Sequence, residues 1–225
     1  YILTALFMLL FTYMLNTSIA NMDSSLLQFS FNEVFYNVIL LFLFLIPIMT
    51  MRTYSDERKF GTEVLLMTTP VNVFQIVIAK FLANITVFLF MLLCSTLFPI
   101  VTAMNGEVVI SQLFCAYVGF FCWGAMCITI GMLISSFTEN SIIAAILGEV
   151  AMLAVLFVDD FSNTEFIAQY PTLQTVICSF AAQYKFVYFS QGVIRLSDLI
   201  FFISAIVLFL AWTVISIEKR RWNRG

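Results

Sequence analysis

The charged side chains of this sequence are concentrated in one stretch, RTYSDERKFGTEVLLMTTP, which covers residues 52–70. A surface that binds anionic lipids needs an excess of basic residues. Here basic and acidic residues balance; they are Arg52, Asp56, Glu57, Arg58, Lys59 and Glu63. Balanced charges suit a docking surface, because paired charges set the register of a bound protein. A docking surface is therefore one interpretation of this stretch, and a solvated loop is the other.

The same stretch has the turn and capping residues of two short helices. Gly61 can adopt the left-handed conformation that ends a first helix. Thr62 is then the N-cap of a second helix, and Glu63 lies at the positive end of that helix. Leu66 belongs to the apolar surface of the second helix, and Pro70 prevents its continuation. The sequence thus predicts a short helical elbow over residues 52–70.

A single acidic residue, Glu149, lies within the apolar run SIIAAILGEVAMLAVLFV. A charged side chain at the centre of a bilayer costs about 2.5 to 3.5 kcal/mol on insertion scales. Glu149 is therefore expected to face protein or water. Either it contacts a substrate or cation in a transport pathway, or it is protonated and donates a hydrogen bond to a neighbouring helix.

Motifs for metal binding, nucleotide binding and hydrolysis are absent from the sequence. It has no His, and its five Cys include no C-x-x-C pair, so we expect small buried thiols and no metal site. It contains no G-x-x-x-x-G-K-[ST] sequence for binding ATP and no G-x-S-x-G sequence for a nucleophilic Ser. We therefore expect a chain that is not an enzyme and binds no cofactor itself.

The elements that position these residues are apolar helices. Of the 225 residues 62% are hydrophobic, and the mean hydropathy is +1.04. Continuous apolar runs of about 20 residues are typical of transmembrane helices. The predicted fold class is an all-α integral membrane protein, a single domain (residues 1–225) with six transmembrane helices. The predicted spans are 1–20, 35–51, 73–103, 112–135, 141–158 and 199–217.

The positive residues predict the orientation of these spans. Cytoplasmic segments of membrane proteins carry an excess of Lys and Arg. With six spans, only Lys185 and Arg195 fall on one side. The other side has Arg52, Arg58, Lys59, Lys80, Lys219, Arg220, Arg221 and Arg224. That side is predicted to be cytoplasmic, and both termini lie on it.

The longest outer loop, residues 159–198, alternates polar and apolar residues. Its apolar residues follow helical spacing in two sets. They are Leu173, Val176, Ile177 and Phe180 in the first set, and Phe186, Val187, Phe189 and Val193 in the second. One or two short amphipathic helices are predicted, lying at the outer interface or re-entering the membrane. An ordinary surface loop is the alternative.

Small residues share a face on two of the predicted spans. They are Ala144, Gly148 and Ala151 on the fifth span, and Cys127, Gly131 and Ser135 on the fourth. Small side chains let neighbouring transmembrane helices approach closely. We expect close packing within the bundle, and a dimer seam is the alternative.

Four stretches, in this order, resemble the type-2 ABC exporter permeases. Residues 52–70 are similar to the family's basic-acidic cluster after the second span, which leads into GT-E-LL-T-P. The others are FLANIT (81–86), SSFTENSIIAA (135–145) and GVIRLSDLIFFIS…LFL…IEKRRW (192–222). The subfamily that the sequence most resembles is the gliding-motility-type permease. Ser141 departs from it, since that subfamily tends to have Gln there.

This resemblance implies that the elbow contacts a separate ATPase subunit, which binds ATP and Mg. The coupling residues would be Arg52, Asp56, Glu57, Arg58, Lys59, Gly61, Thr62, Glu63, Leu66 and Pro70. A second cytoplasmic turn would contact the partner through Ser136, Thr138, Glu139 and Asn140. The family also carries an amphipathic N-terminal helix before the first span, and this sequence begins after it, at Tyr1.

The function that the resemblance implies is that of a transmembrane permease subunit of an ABC exporter. A second permease, identical or different and possibly one with a large outer domain, would complete the translocation pathway. The location expected is the lipid bilayer of a bacterial inner or plasma membrane, with no nucleic-acid partner. An ion-coupled secondary carrier using Glu149 is the alternative, which a lone intramembrane acid and the lack of an inverted repeat disfavour.

Overall fold

The computed structural model of the chain describes residues 2–20, 32–63, 71–105, 109–162 and 181–223. These residues form nine α-helices and no β-strand. In chain order the helices are α1 (Ile2–Ala20), α2 (Asn32–Thr50), α3 (Arg52–Lys59), α4 (Val73–Ser95), α5 (Leu97–Asn105), α6 (Ile110–Phe137), α7 (Ser141–Ser162), α8 (Ala182–Ser190) and α9 (Leu196–Asn223).

Five helical stretches in the described part of the chain are long and apolar enough to cross a membrane. They are Asn37–Lys59, Val73–Thr102, Ile110–Phe137, Ser141–Val158 and Leu196–Arg220. The prediction of an all-α membrane protein is therefore confirmed. The first predicted span corresponds to α1, whose apolar part Ile2–Ser18 is shorter than the other five. The count of six spans stays a prediction that depends on α1.

The third predicted span, residues 73–103, consists of two helices rather than one. A turn at Thr96 separates α4 from α5. The hydroxyls of Ser95 and Thr96 donate hydrogen bonds of 2.7 Å to the carbonyls of Leu92 and Leu93. Pro99 follows in the first turn of α5, where its missing amide cannot extend the hydrogen-bond ladder from α4. Side-chain competition and a proline thus interrupt an otherwise continuous apolar run.

Helix α6 is the centre of the bundle. It packs against α2, α3, α4, α7, α8 and α9, and Trp123 and Phe120 near its middle are fully buried. Three of its glycines allow these close approaches, because an added Cβ would overlap the side chain of a neighbouring helix. Gly119 meets Phe189, Gly124 meets Phe88 and Gly131 meets Thr50.

The two predicted small-residue faces both pack against α2. A Cβ on Gly131 would overlap the side chain of Thr50, and a Cβ on Gly148 would stand 3.2 Å from Cβ of Pro47. Thr50 is itself buried. The prediction that these faces serve close packing within the bundle is confirmed at both glycines.

Phenylalanine rings join α1 to the rest of the bundle. Phe7 lies 5.2 Å from Phe42 of α2, and Phe11 lies 5.1 Å from Phe98 of α5, measured between ring centroids. Phe42 in turn contacts Phe120 of α6 at 4.6 Å. Such aromatic pairs add about 0.5 to 1.5 kcal/mol beyond the burial of their area. Helix α1 therefore packs as a member of the bundle.

At the end of the bundle opposite α3, the short helix α8 packs into the core. Phe186 and Phe189 are buried, and Nζ of Lys185 lies 3.5 Å from Oδ1 of Asp198 in α9, both side chains being mostly buried. Gly192, with φ +84°, ends the segment. The second predicted helical set thus contains a packed helix rather than a surface loop. The first set, residues 173–180, lies outside the described residues.

Replacing Gly131 with Ala is expected to destabilise the bundle by about 1 to 3 kcal/mol, the usual cost of overpacking. The added methyl group meets Thr50, whose branched side chain has little rotamer freedom. Denaturant unfolding in detergent measures the change. Gly148→Ala is the control and should cost less, because its nearest neighbour stands 3.2 Å away. Adding Thr50→Ala to Gly131→Ala should recover part of the loss, and strictly additive effects would contradict this packing.

Candidate functional site

The charged stretch forms a short helix at one end of the bundle. Helix α3 follows α2 after Met51 and ends where the amide of Phe60 donates to the carbonyl of Asp56 at 3.0 Å. Gly61 has φ +70°, the left-handed conformation that the sequence predicts. Arg58 and Lys59 lie in the last turn, where positive charge favours the helix dipole. Residues 52–63 are the described part of the elbow, and we call residues 136–140 the second turn.

Arg58 joins the elbow to the second turn. Its guanidinium donates to the carbonyl oxygen of Ser136 at 3.2 Å and to Oε1 of Glu139 at 2.8 Å. Its Nε lies 3.8 Å from Oε2 of Glu63, an ion pair that is too long for a hydrogen bond. Only 12% of the Arg58 side chain and 11% of the Glu63 side chain are exposed. The planar guanidinium thus makes contacts in several directions, which suits Arg better than Lys.

Helix α4 holds the elbow from another side. Nζ of Lys80 forms an ion pair with Oε2 of Glu57 at 2.5 Å and donates to the carbonyl of Thr53 at 2.6 Å. It also lies 4.2 Å from the ring centroid of Tyr54. The ammonium of Lys80 is thus mostly buried against the elbow. Asn84, one turn further along, donates to the hydroxyl of Thr53 at 3.3 Å.

The junction between α2 and α3 is held by Ser135 of α6. Its hydroxyl donates to the carbonyl of Met51 at 2.8 Å and accepts hydrogen bonds from the amides of Tyr54 (3.1 Å) and Ser55 (3.3 Å). These amides belong to the first turn of α3, where helix donors have no intrahelical partner. Met51 itself supplies no side-chain cap. Ser135 therefore caps α3 from another helix.

The remaining elbow residues of the sequence prediction lie apart from this cluster. Arg52 is 71% exposed and pairs with Asp56 one turn later at 4.0 Å, and Lys59 is exposed. The hydroxyl of Thr62 donates back to the carbonyl of Glu57 at 3.3 Å. Thr62 thus bonds the helix before it. Its predicted role as an N-cap concerns a second helix that, with Leu66 and Pro70, lies outside the described residues.

The second turn begins α7. Asn140 Oδ1 accepts a hydrogen bond of 2.9 Å from the amide of Ile142, which is the usual N-cap contact. Glu139 is 65% exposed although it contacts Arg58, and the Thr138 hydroxyl is buried with no hydrogen-bond partner in the described part of the chain. Ser136 is buried, and its hydroxyl donates to Leu133 of its own helix. The turn therefore presents Glu139 to solvent beside the exposed charges of the elbow.

Most of the chain matches a known protein family. The sequence profile described as "ABC-2 family transporter protein" matches residues 1–155, which contain both the elbow and the second turn. The chain belongs to the ABC-2 transporter family. It is a membrane permease of the ABC transporter class, and membership implies association with ABC ATPase subunits. No curated protein matches the sequence.

Several contacts at the permease's elbow escape prediction from sequence. Ser135, Lys80 and Asn84 hold α3, and the sequence assigns none of them to the elbow. Ser135 belongs to the predicted small-residue face of α6. Such a face indicates that another helix packs closely there, but it does not predict which atoms Ser135 bonds. Lys80 lies near one end of a predicted span, where a lysine usually extends its ammonium to water, so its sequence position does not predict a contact with the elbow.

Glu149 of the permease lies in α7, away from the elbow cluster. Its side chain is half-buried, and its Oε1 is shielded without a hydrogen-bond partner among the described residues. Within that part of the chain it makes no hydrogen bond to a neighbouring helix. No three His, Cys, Asp or Glu side chains of the described residues lie close enough to hold a metal ion together.

Truncating Arg58 is expected to destabilise the permease far more than truncating Arg52. Arg58→Ala leaves the buried carboxylate of Glu63 without this guanidinium, and breaking a buried ion pair costs about 3 to 5 kcal/mol. Arg52→Ala removes an exposed pair and should cost below about 1 kcal/mol. Denaturant unfolding in detergent compares the two variants. Equal losses would show that Arg58 does not hold the two segments together.

Proposed function

We propose that the permease forms one membrane half of an ATP-driven exporter. A second permease, identical or different, completes the pathway, and separate ATPase subunits bind ATP and Mg and dock on the elbow and second turn. The substrate crosses as the permease changes conformation, without being chemically altered. Residues 52–70 as a whole form the coupling segment, and the nearest subfamily is the gliding-motility-type permease.

The observation that carries this proposal is the bridge through Arg58. Two segments about 80 positions apart in sequence are tied into one surface by a mostly buried guanidinium. A partner that pushes on either segment moves both, because the bridge resists their separation. Lys80 extends the same connection to α4 through Glu57. Force applied at this surface thus reaches three membrane helices directly.

The exposed charges around this bridge are suited to protein docking. Arg52, Lys59 and Glu139 carry both signs and remain accessible at the same end of the bundle. Arg52 pairs with the partly exposed Asp56, whereas Glu139 also pairs with the mostly buried Arg58. Interfacial charges of this kind steer association and select partners. The mostly buried Arg58 and Glu63 therefore hold the surface together, and the exposed charges meet the ATPase.

The distribution of basic residues supports a cytoplasmic position for this surface. Arg220 of α9 lines a small recess together with Arg58 and Glu63, so the basic end of the last span lies beside the elbow. Lys185 lies at the opposite end, in α8. By the positive-inside rule, this distribution supports a cytoplasmic position for the elbow and both termini. The membrane is proposed to be a bacterial inner or plasma membrane.

Charge reversal at exposed elbow residues is expected to weaken ATPase docking without unfolding the permease. We expect Arg52→Glu and Lys59→Glu each to lower affinity for the ATPase that co-purifies with the wild-type chain by about tenfold at low salt. Near 1 M salt, where the Debye length is about 3 Å, the difference should largely disappear. Surface plasmon resonance on nanodisc-embedded permease measures both values.

The matched control for this docking experiment is Arg195→Glu. Arg195 is also exposed but lies just before α9, at the end of the bundle opposite the elbow. Its reversal should leave ATPase affinity unchanged. If no ATPase co-purifies with the wild-type permease, or if Arg195→Glu weakens binding as much as the elbow variants, the proposed docking surface is wrong.

Glu149 is the observation that favours a second candidate function, an ion-coupled carrier. Its carboxyl lies in a candidate span with one oxygen shielded and unbonded within the described chain. Intramembrane acids often belong to ion pathways or proton relays. In such a carrier Glu149 would bind and release the coupling ion, and the elbow would need no ATPase.

Glu149→Gln separates the two candidate functions. For the exporter, ATP hydrolysis by the reconstituted complex should stay within about twofold of wild type, because Gln retains shape and hydrogen-bonding capacity. Liposomes with the permease alone and an internal pH dye should show no proton uptake driven by a pH gradient. Proton uptake by the wild-type permease that Glu149→Gln abolishes would instead establish the carrier.

A further inference from the structure

We propose that Ser135 is the positioning residue that couples the elbow to the central helix α6. Its hydroxyl fixes the angle at which α3 leaves α2 and transmits displacement of the elbow into α6. The inference rests on the proposed function, in which the ATPase acts on the elbow. It assigns a role to a residue for which the family resemblance supplies none.

The hydroxyl of Ser135 lies inside the hydrogen-bond ladder of another helix. In an uninterrupted α-helix the amide of Ser55 would donate directly to the carbonyl of Met51, four residues earlier. Here Ser135 Oγ donates to that carbonyl and accepts from that amide. Insertion of a side chain into the ladder is one of the recognised causes of a helix bend. Helix α2 ends at Thr50 and α3 begins at Arg52, so the interruption lies at Met51, where the hydroxyl enters.

The junction around the Ser135 hydroxyl is closed to water. Ser135 and Ser55 are fully buried and Tyr54 is nearly so. Water therefore has no access to the amides of Tyr54 and Ser55 if the hydroxyl is removed, whereas the Met51 carbonyl keeps a second donor, the hydroxyl of Ser55 at 2.5 Å. Pro47, one turn before Met51, accepts from the Met51 amide but has no amide of its own. The ladder is thus already weakened on the α2 side, so the contact with Ser135 decides how α3 continues.

The last turns of α6 hold both sides of the junction. Gly131 packs against Thr50 at the end of α2, and Ser135 bonds the first turn of α3. The Ser136 carbonyl then accepts from Arg58 near the end of α3. These contacts follow one another along α6 in the same order as along α2 and α3. A shift of the elbow is therefore passed to α6 over its last two turns, with Ser135 at the middle contact.

The neighbouring Ser136 provides a matched control. It is also buried in α6, but among the described residues its hydroxyl bonds only the Leu133 carbonyl, within its own helix. Its contact with the elbow is made by the backbone carbonyl, which a Ser136→Ala substitution keeps. Ser135→Ala and Ser136→Ala thus remove the same chemical group from adjacent buried positions, and only the first removes a contact with α3.

The first test measures the position of the elbow in the full-length permease in nanodiscs. Spin labels at Lys59 and Ile110, both exposed, report the distance from the end of α3 to the far end of α6 by pulsed electron resonance. With Ser135→Ala the distribution should broaden or shift by several ångströms, since the Met51 carbonyl and Ser55 amide can then bond directly. Ser136→Ala should match wild type. An unchanged distribution in Ser135→Ala overturns the proposal.

The second test measures ATP hydrolysis by the assembled complex. Ser135→Ala is expected to lower permease-stimulated ATPase activity at least threefold while the ATPase still co-purifies, and Ser136→Ala to leave it within experimental error. Stimulated activity that survives Ser135→Ala overturns the coupling role. If the wild-type permease neither binds nor stimulates an ATPase, the proposed function fails, and the distance measurement still decides whether Ser135 positions the elbow.

Discussion

The architecture at the elbow end of the bundle depends on surrounding one mostly buried guanidinium with negatively charged and carbonyl oxygens. Arg58 is almost inaccessible to water, so its charge is tolerable only because Glu63, Glu139 and a backbone carbonyl surround it. That requirement fixes the position of the elbow relative to the second turn. Apolar packing alone would specify this position less well, because ionic hydrogen bonds are directional. The surface that we assign to the ATPase exists as one unit for this reason.

The membrane helices were predictable because hydropathy alone defines them. All five candidate spans overlap predicted runs, and Gly61 has the left-handed conformation that its residue type suggests. The pairing of Arg58 with the second turn was not predictable, because the partners are about 80 residues apart and many charge pairings would satisfy the composition. The break at Thr96 was not predictable either. It depends on side-chain hydroxyls that compete for backbone carbonyls, and hydropathy does not report this competition.

Helix α6 shows how a transmembrane bundle obtains specificity without a hydrophobic driving force between helices. Lipid is as apolar as Leu, so association depends on close packing and on hydrogen bonds. The glycines of α6 admit Phe189, Phe88 and Thr50 at successive levels, and Ser135 adds a polar contact at the end. Each level receives a different neighbour, so sliding α6 along its axis would disturb all of them together.

The length of α6 gives the bilayer itself an influence on this end of the protein. Its 28 residues extend about 42 Å at 1.5 Å per residue, whereas the hydrocarbon core of a membrane is about 30 Å thick. If the helix stands nearly upright, about two turns project among the lipid headgroups. Ser135 and Ser136 belong to the final turn. Hydrophobic mismatch in a thicker or thinner bilayer would tilt α6 and change how far that turn protrudes. Lipid chain length is therefore a mechanical input to the junction that Ser135 holds.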